Sequence, residues 1–171
     1  VRGVTKRLST QPAGAAQTTI SGLTAFGSDG FTVGAADTAN QNSQSFVAWN
    51  WKETADAGFD IVSYTGTGSN RTVAHNLGVV PQMIIVKRYN DGTASWMVYH
   101  QSLGNNKYLS LDATAAEDTG HWNSTSPTAS VFSVDTDQRV NANGASYIAY
   151  VFAQKQGLSR FGSYVGNGNA D

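Results

Sequence analysis

The stretch Ser146-Tyr147-Ile148-Ala149-Tyr150-Val151-Phe152 decides the fold class. It is too short and too rich in β-branched and aromatic residues for a helix, so it reads as a strand. A strand with one wet face alternates apolar and polar residues, but here Tyr147 and Ala149 alternate with Ile148, Tyr150 and Phe152. Both faces must therefore be covered. The same holds for Ser45 to Trp51, where Phe46 and Ala48 alternate with Val47, Trp49 and Trp51, and for Met83-Ile84-Ile85-Val86. One cover is an opposing sheet; the other is long loops, a neighbouring repeat or another subunit. Trp49, Trp51 and Trp96 lie inside such runs and are expected in the core, as is a buried face carrying Ile148, Tyr150 and Phe152.

Shorter runs extend the pattern along the chain: Thr18 to Ile20, Phe31 to Val33, Phe59 to Tyr64, Met83 to Tyr89, Trp96 to His100, Tyr108 to Leu111, Val131 to Val134 and Arg160 to Val165. Gly, Asn, Asp and Ser cluster between them, and Asn90-Asp91-Gly92 predicts a hairpin turn. The Ala/Glu-rich stretches Lys52 to Gly58 and Ala113 to Asp118 are too short for more than single helical turns. The expected class is all-β, with antiparallel sandwich or jelly-roll modules.

Those modules repeat. Displaced by 101 positions, Gly3 to Lys52 matches a later stretch without gaps: Gly3, Lys6, Leu8 and Ser9 fall on Gly104, Lys107, Leu109 and Ser110, and Phe31 and Val33 fall on Phe132 and Val134. Phe46, Val47, Trp49 and Trp51 fall on Tyr147, Ile148, Tyr150 and Phe152. After a one-residue shift, Ser63-Tyr64-x-Gly66-x-Gly68 falls on Ser163-Tyr164-x-Gly166-x-Gly168, whereas Arg71 to Gln101 occurs once. This phasing predicts residues 1–56 as the rear part of one module, 57–156 as a complete module and 157–171 as the first strand of a following module or a strand for a neighbouring subunit. It also predicts a segment of a longer repetitive protein, or strands completed by a neighbouring subunit.

Composition narrows the function classes. Of 171 residues, 11 are Lys or Arg and 12 are Asp or Glu, a net charge of −1, so the dense basic face of a phosphate-gripping nucleic-acid binder is not expected. No run approaches the ~20 apolar residues of a membrane helix, and Val1-Arg2-Gly3-Val4-Thr5-Lys6 resembles no signal or transit peptide. Zero cysteines exclude disulfide and thiolate-zinc scaffolds.

The chain resembles a tandemly repeated domain of unknown function found in large structural proteins of marine bacteriophages, often beside lectin-like jelly-roll modules. The resemblance rests on Ser28-Asp29-Gly30-Phe31-Thr32-Val33-Gly34, Phe46-Val47-Ala48-Trp49-Asn50-Trp51-Lys52, Gly58 to Gly66, His75-x-Leu77-Gly78-x-x-Pro81-x-Met83 to Arg88, and Trp96-x-Val98-Tyr99-His100. It implies a virion component, in a tail fibre or surface appendage contributing to host attachment, with other virion proteins as partners. It supplies no catalytic residues.

Among chemically active residues, His75, His100 and His121 sit in no metal-ligand spacing, so neither metal nor cofactor is expected. Glu117, Asp118, Asp135 and Asp137 could cleave glycosides or bind calcium only if they converged; the expectation is solvated loop acids and no enzyme. Gly66-x-Gly68 opens no helix and reads as a turn rather than a phosphate cradle. Aromatics are the better lead, because sugar rings stack on flat, partly exposed side chains. Trp122, flanked by His121 and Asn123 in a polar loop, is the candidate ligand-binding position; its first-copy equivalent is Ser21. The competing role for Trp122 is to cap the core. Predicted partners are copies of the chain, other virion proteins and host surface glycans. The rival readings are a carbohydrate-binding or carbohydrate-degrading module and a virion scaffold without ligand.

Overall fold

The computed structural model describes residues 3–10, 14–91, 94–114 and 117–169. Val1, Arg2 and Gly92 of the stretches quoted above lie outside it, as do residues 11–13, 115–116 and 170–171. In chain order the strands are β1 (Lys6–Arg7), β2 (Gln17–Thr18), β3 (Leu23–Phe26), β4 (Phe31–Val33), β5 (Phe59–Thr65), β6 (Arg71–Ala74), β7 (Met83–Arg88), β8 (Met97–His100), β9 (Lys107–Ser110), β10 (Asp118–Thr119), β11 (Val131–Val134) and β12 (Ser146–Phe152). Among the described residues helix is limited to single turns, α1 (Asp37–Asn40), α2 (Gln138–Asn141) and the 3₁₀ turns Ala55–Ala57 and Gln101–Leu103. The chain is mostly antiparallel β-structure, in agreement with the sequence patterning.

Six strands form one sheet in the order β10-β9-β8-β7-β12-β5, and β11 pairs with β6 in a separate ribbon. β12 is an interior strand, with Tyr150 opposite Ile61 of β5 and Ile85 of β7; its apolar faces answer to what packs above and below the sheet. Tyr147, Ala149 and Val151 face the main core with Ile84, Val86, Met97 and Tyr99; Val73 and Phe132 of the β6–β11 ribbon close that core together with Trp122 and Val140. On the opposite face, expected to be buried, Ile148 is buried but Tyr150 and Phe152 are only half-buried. Its cover includes the N-terminal segment, through a Trp96 indole N–H donated to the Ser9 carbonyl (3.0 Å) and an Ala16 N–H donated to the Tyr89 carbonyl (2.8 Å).

The Gly66-x-Gly68 turn is held by Asn141. Its Oδ1 accepts from Thr67 N–H (2.9 Å), and its Nδ2 donates to the Ser69 and Asp135 carbonyls (2.7 Å each). A Cβ on Gly66 would stand 2.1 Å from the Ala142 carbonyl oxygen, so only glycine lets the two backbones approach.

Two expected strands do not form. Residues 45–51 and 160–165 belong to no strand; Phe46, Val47, Trp49 and Trp51 are exposed, Trp49 at 77%, so the core placement of Trp49 and Trp51 is corrected. The physical reason is the missing neighbours. β12 has β5 and β7 at its edges and the main core on one face, whereas residues 45–51, with nearly the same pattern, are flanked by no strand among the described residues. Trp51 keeps a tilted contact 6.4 Å from the Phe59 ring and an edge contact 6.5 Å from the Phe152 ring. The short strands β1, β3, β6 and β10 escaped the sequence reading because two to four residues carry too little periodicity.

Local structure recurs at the sequence spacing. β1 pairs with β2 as Lys6↔Thr18 and Arg7↔Gln17, and β9 with β10 as Lys107↔Thr119 and Tyr108↔Asp118, each position 101 residues on. α1 and α2 are offset by the same amount, and the Asn40 side chain donates to the Gly34 carbonyl as Asn141 does to Asp135. The lone bridges Thr54↔Phe59 and Lys155↔Ser159 bracket the one-residue shift, which lies inside this turn. The copies differ in pairing: β11 joins β6, whereas β4 folds back on β3.

Candidate functional site

The loop after β10 carries the three residues singled out by sequence. His121, Asn123 and Ser124 all have positive φ (74°, 50° and 49°), a strained run for non-glycine residues that Asp135 helps fix by accepting the His121 N–H at 2.7 Å. The strain turns His121 and Trp122 inward. Trp122 is 1% exposed, donates its indole N–H to the Lys107 carbonyl at 3.0 Å and meets the Tyr99 ring edge-on at 5.8 Å. In this position it offers no face to a sugar and does what the core-capping role requires. Asn123 stays at the surface, where its Oδ1 accepts from the Asn70 amide at 2.6 Å.

His121 is equally buried, its ring 3.9 Å from the Tyr108 ring, and neither ring nitrogen has a hydrogen-bond partner. Burial pushes its pKa below the ordinary histidine value, against the field of Asp137, whose carboxylate lies 3.8 Å from Nδ1. Around it runs a chain of polar contacts. The Tyr108 hydroxyl donates to Asp118 (3.2 Å) and accepts from Arg139 (3.0 Å), while Arg139 forks onto both Asp137 oxygens at 3.0 Å. The Thr119 N–H hydrogen bond holds the Asp118 carboxyl low. Burial pushes the Asp137 carboxyl up, but the Arg139 hydrogen bonds outweigh it and hold it low; hydrogen bonding to Asp137 raises the Arg139 pKa.

The four acids are therefore engaged in structural roles. Glu117 pairs with Lys107 at 2.5 Å, Asp118 receives Tyr108, Asp135 receives the His121 and Asp137 N–H groups, and Asp137 caps α2 by accepting the Arg139 N–H at 2.7 Å. Among the described residues no group of three or more His, Asp and Glu converges as a metal site. The Nδ1 of His75 accepts from Leu77 N–H (3.3 Å), which leaves Nε2 to donate to the Thr128 carbonyl (3.1 Å); His100 caps the second 3₁₀ turn through Ser102 N–H (3.2 Å).

Two of the surface depressions bear on ligand binding. Beside the strained loop, a polar groove of about 470 Å³ is lined by Asn105, Asn106, Thr119, Asn123, Ser124 and Asp135. Amide, hydroxyl and carboxylate groups of this kind can hydrogen-bond a hydroxylated ligand, but no aromatic ring lines the groove. On the shallow face of the six-stranded sheet, a groove of about 320 Å³ is lined by Lys6, Leu8, Glu53, Ile61, Ser63, Trp96, Ile148 and Tyr150. There the Trp96 and Phe59 rings flank Tyr150, each near-parallel to it at 6.2 and 6.5 Å. This second groove combines stacking rings with a carboxylate, an ammonium and a hydroxyl. Sequence reasoning missed it, although the double-sided apolar pattern of 146–152 contained its signal: one face of that strand is this groove.

A family described as "Domain of unknown function (DUF7483)" matches residues 1–171. No curated protein and no solved structure matches the chain.

Proposed function

The chain belongs to the DUF7483 family, and we propose that this member is a structural module of a bacteriophage virion, a segment of a tail fibre or other surface appendage that contributes to host attachment. One observation carries the structural half of this reading. A seven-residue strand is packed inside a sheet at 146–152, and its near copy lies bare at 45–51, as expected of a unit made to join further units in series. The 101-residue recurrence of register, helical turns and the Asn40/Asn141 contact supports reading the chain as a tandem repeat of sandwich modules. In that reading the six-stranded sheet and the β6–β11 ribbon are the two layers of one module, spanning 57–156. The phage assignment rests on the family resemblance of the strand and turn motifs, and places the chain at the virion surface with copies of itself and other virion proteins as partners.

The attachment half rests on the two grooves, whose hydroxyl, amide and aromatic lining suits host surface glycans; the chain acts by binding, without turnover, metal or cofactor. A glycan array combined with reducing-sugar release from bacterial envelope polysaccharide tests it. Binding without release, weakened by Tyr150→Ala, is expected. Sugar release abolished by Glu117→Gln or Asp118→Asn would overturn it in favour of a carbohydrate-degrading enzyme, and absence of binding would favour a scaffold without ligand.

A further inference from the structure

Residues 45–51 and 159–165 are the second copies of β12 and β5, and inside the module those two strands are partners. β12 and β5 pair antiparallel from Ser146↔Thr65 to Phe152↔Phe59. Carried over by the repeat offsets of 101 and 100, that register sets Ser45 against Val165, Val47 against Ser163, Trp49 against Phe161 and Trp51 against Ser159. Both segments are out of any sheet in the structure, and most of their apolar side chains face solvent: Val47 is 80% exposed where Ile148 is 5%, and Tyr164 is 94% exposed where Tyr64 is packed, while Phe161 is half-buried with its ring 5.9 Å from that of Phe152.

We infer that the chain self-associates head to tail, residues 159–168 of one copy adding as an antiparallel strand and turn along residues 40–51 of a second copy.

The complementarity extends beyond the ladder. In the module Tyr64 stacks on Tyr147 at 5.0 Å, meets Phe132 edge-on at 6.2 Å and donates its hydroxyl to the Val140 carbonyl at 2.7 Å. The copied positions offer Tyr164 to Phe46, Phe31 and the Ala39 carbonyl, and both rings of the receiving side are exposed. In the module Asn141 clasps the Gly66-Thr67-Gly68 turn; Asn40 of the receiving copy, already oriented by its bond to Gly34, would present the same amide to Gly166-Asn167-Gly168 of the adding copy. A Cβ on Gly66 would collide with the clasping backbone, whereas one on Gly166 meets nothing within 4 Å in the single chain, which leaves room there for the clasp of a second copy. Main-chain pairing would supply affinity and the alternating side chains register, the usual logic of strand addition. Because donor and acceptor patches differ, the contact is heterologous and propagates rather than closing as a two-fold dimer. The inference sharpens the self-association in the proposed function but stands on the repeat and the exposed strands, whichever particle carries the chain.

The chain has no cysteine, so disulfide trapping is clean. In the β12–β5 ladder, Ala153 N–H donates to Gly58 O and Gly66 N–H to Ala145 O. Odd-numbered β12 positions are therefore hydrogen-bonded pairs, and the copies of Ile148 and Ser63 fall at a close, non-hydrogen-bonded pair suited to a disulfide. Mixing Val47→Cys chains with Ser163→Cys chains under mild oxidation should yield about tenfold more disulfide-linked heterodimer than mixing Val47→Cys with Tyr164→Cys, whose side chain points to the other face. All three positions are exposed, so folding is not at stake, and sedimentation of the unmodified chain should independently show mass rising with concentration. Equal yields from both mixtures, or a chain that stays monomeric throughout, would overturn the inference. So would a Val47→Cys/Ser163→Cys chain that links only within itself, since the strand would then close on its own copy. Envelope binding is read separately, so loss of pairing with binding intact removes this inference and leaves the attachment reading standing.

Discussion

Replacing Trp122 by alanine should nearly unfold the module, while replacing Trp49 should hardly register. The Trp122 indole is 1% exposed and fills the core between Tyr99 and His121. Truncating a buried aromatic to Ala costs about 3–5 kcal/mol, and leaving the Lys107 carbonyl without its indole donor adds about 1 kcal/mol or more. The total of about 4–6 kcal/mol compares with an expected module stability of about 5–15 kcal/mol. Trp122→Phe keeps most of the volume and loses the hydrogen bond, for about 1–3 kcal/mol. Trp49, 77% exposed, should change stability by no more than about 0.5 kcal/mol in dilute solution. Urea unfolding followed by far-ultraviolet circular dichroism reads the difference: with a slope near 1.5 kcal/mol/M, the Trp122→Ala midpoint should fall by roughly 3 M. A Trp122→Ala shift below about 1 kcal/mol would refute the core assignment and return the indole to the ligand-binding role that its loop composition suggests. A Trp49→Ala cost as large as that of Trp122→Ala would refute the exposure of residues 45–51.

Other expectations follow from the same geometry. Burial lowers the His121 pKa, so the unfolded chain takes up the proton first: this residue's contribution is complete above the ordinary histidine value of about 6.5 and is lost as pH falls through that value toward the folded one. The melting temperature should therefore drop between pH 7.5 and pH 5, and His121→Asn, which tolerates the positive φ, should flatten that slope; an unchanged slope would mean that His121 is not a buried neutral group. Gly66→Ala should cost about 2–3 kcal/mol because its Cβ collides with the Ala142 carbonyl, whereas Gly166→Ala should leave monomer stability untouched and weaken only association, measured by thermal melts and sedimentation side by side.

The sheet centre was legible because periodicity reports burial directly. The double-sided pattern of 146–152 demanded neighbours on both faces, and β12 lies between β7 and β5 with the core on one side and the aromatic groove on the other. The same logic misplaced 45–51. A strand sequence states what surroundings it prefers, and cannot state whether the flanking strands are present in the same chain. The repeat offset pairs residues 45–51 with 159–165 only in the proposed head-to-tail association. Trp122 left two roles open in the sequence for a different reason: Thr, Gly, Asn and Ser around it suggest a surface loop, while the positive φ values of its neighbours and the Lys107 carbonyl that receives its indole are tertiary features without a sequence signature. The polar groove likewise draws Asn105 and Asn106 to Asn123 and Ser124 through the Gly120 N–H bond to the Asn106 carbonyl (2.9 Å), a contact no spacing rule predicts.

Amide hydrogen exchange on the intact chain, followed from dilute to concentrated solution, tests the complementarity of residues 45–51 and 159–165 most directly. Unpaired backbone exchanges fast, and strand pairing protects both partners together. The account predicts that both segments exchange freely when dilute and gain protection in parallel as concentration rises, with β5 and β12 protected throughout. Protection that appears in only one segment, or in neither at any concentration, would contradict it.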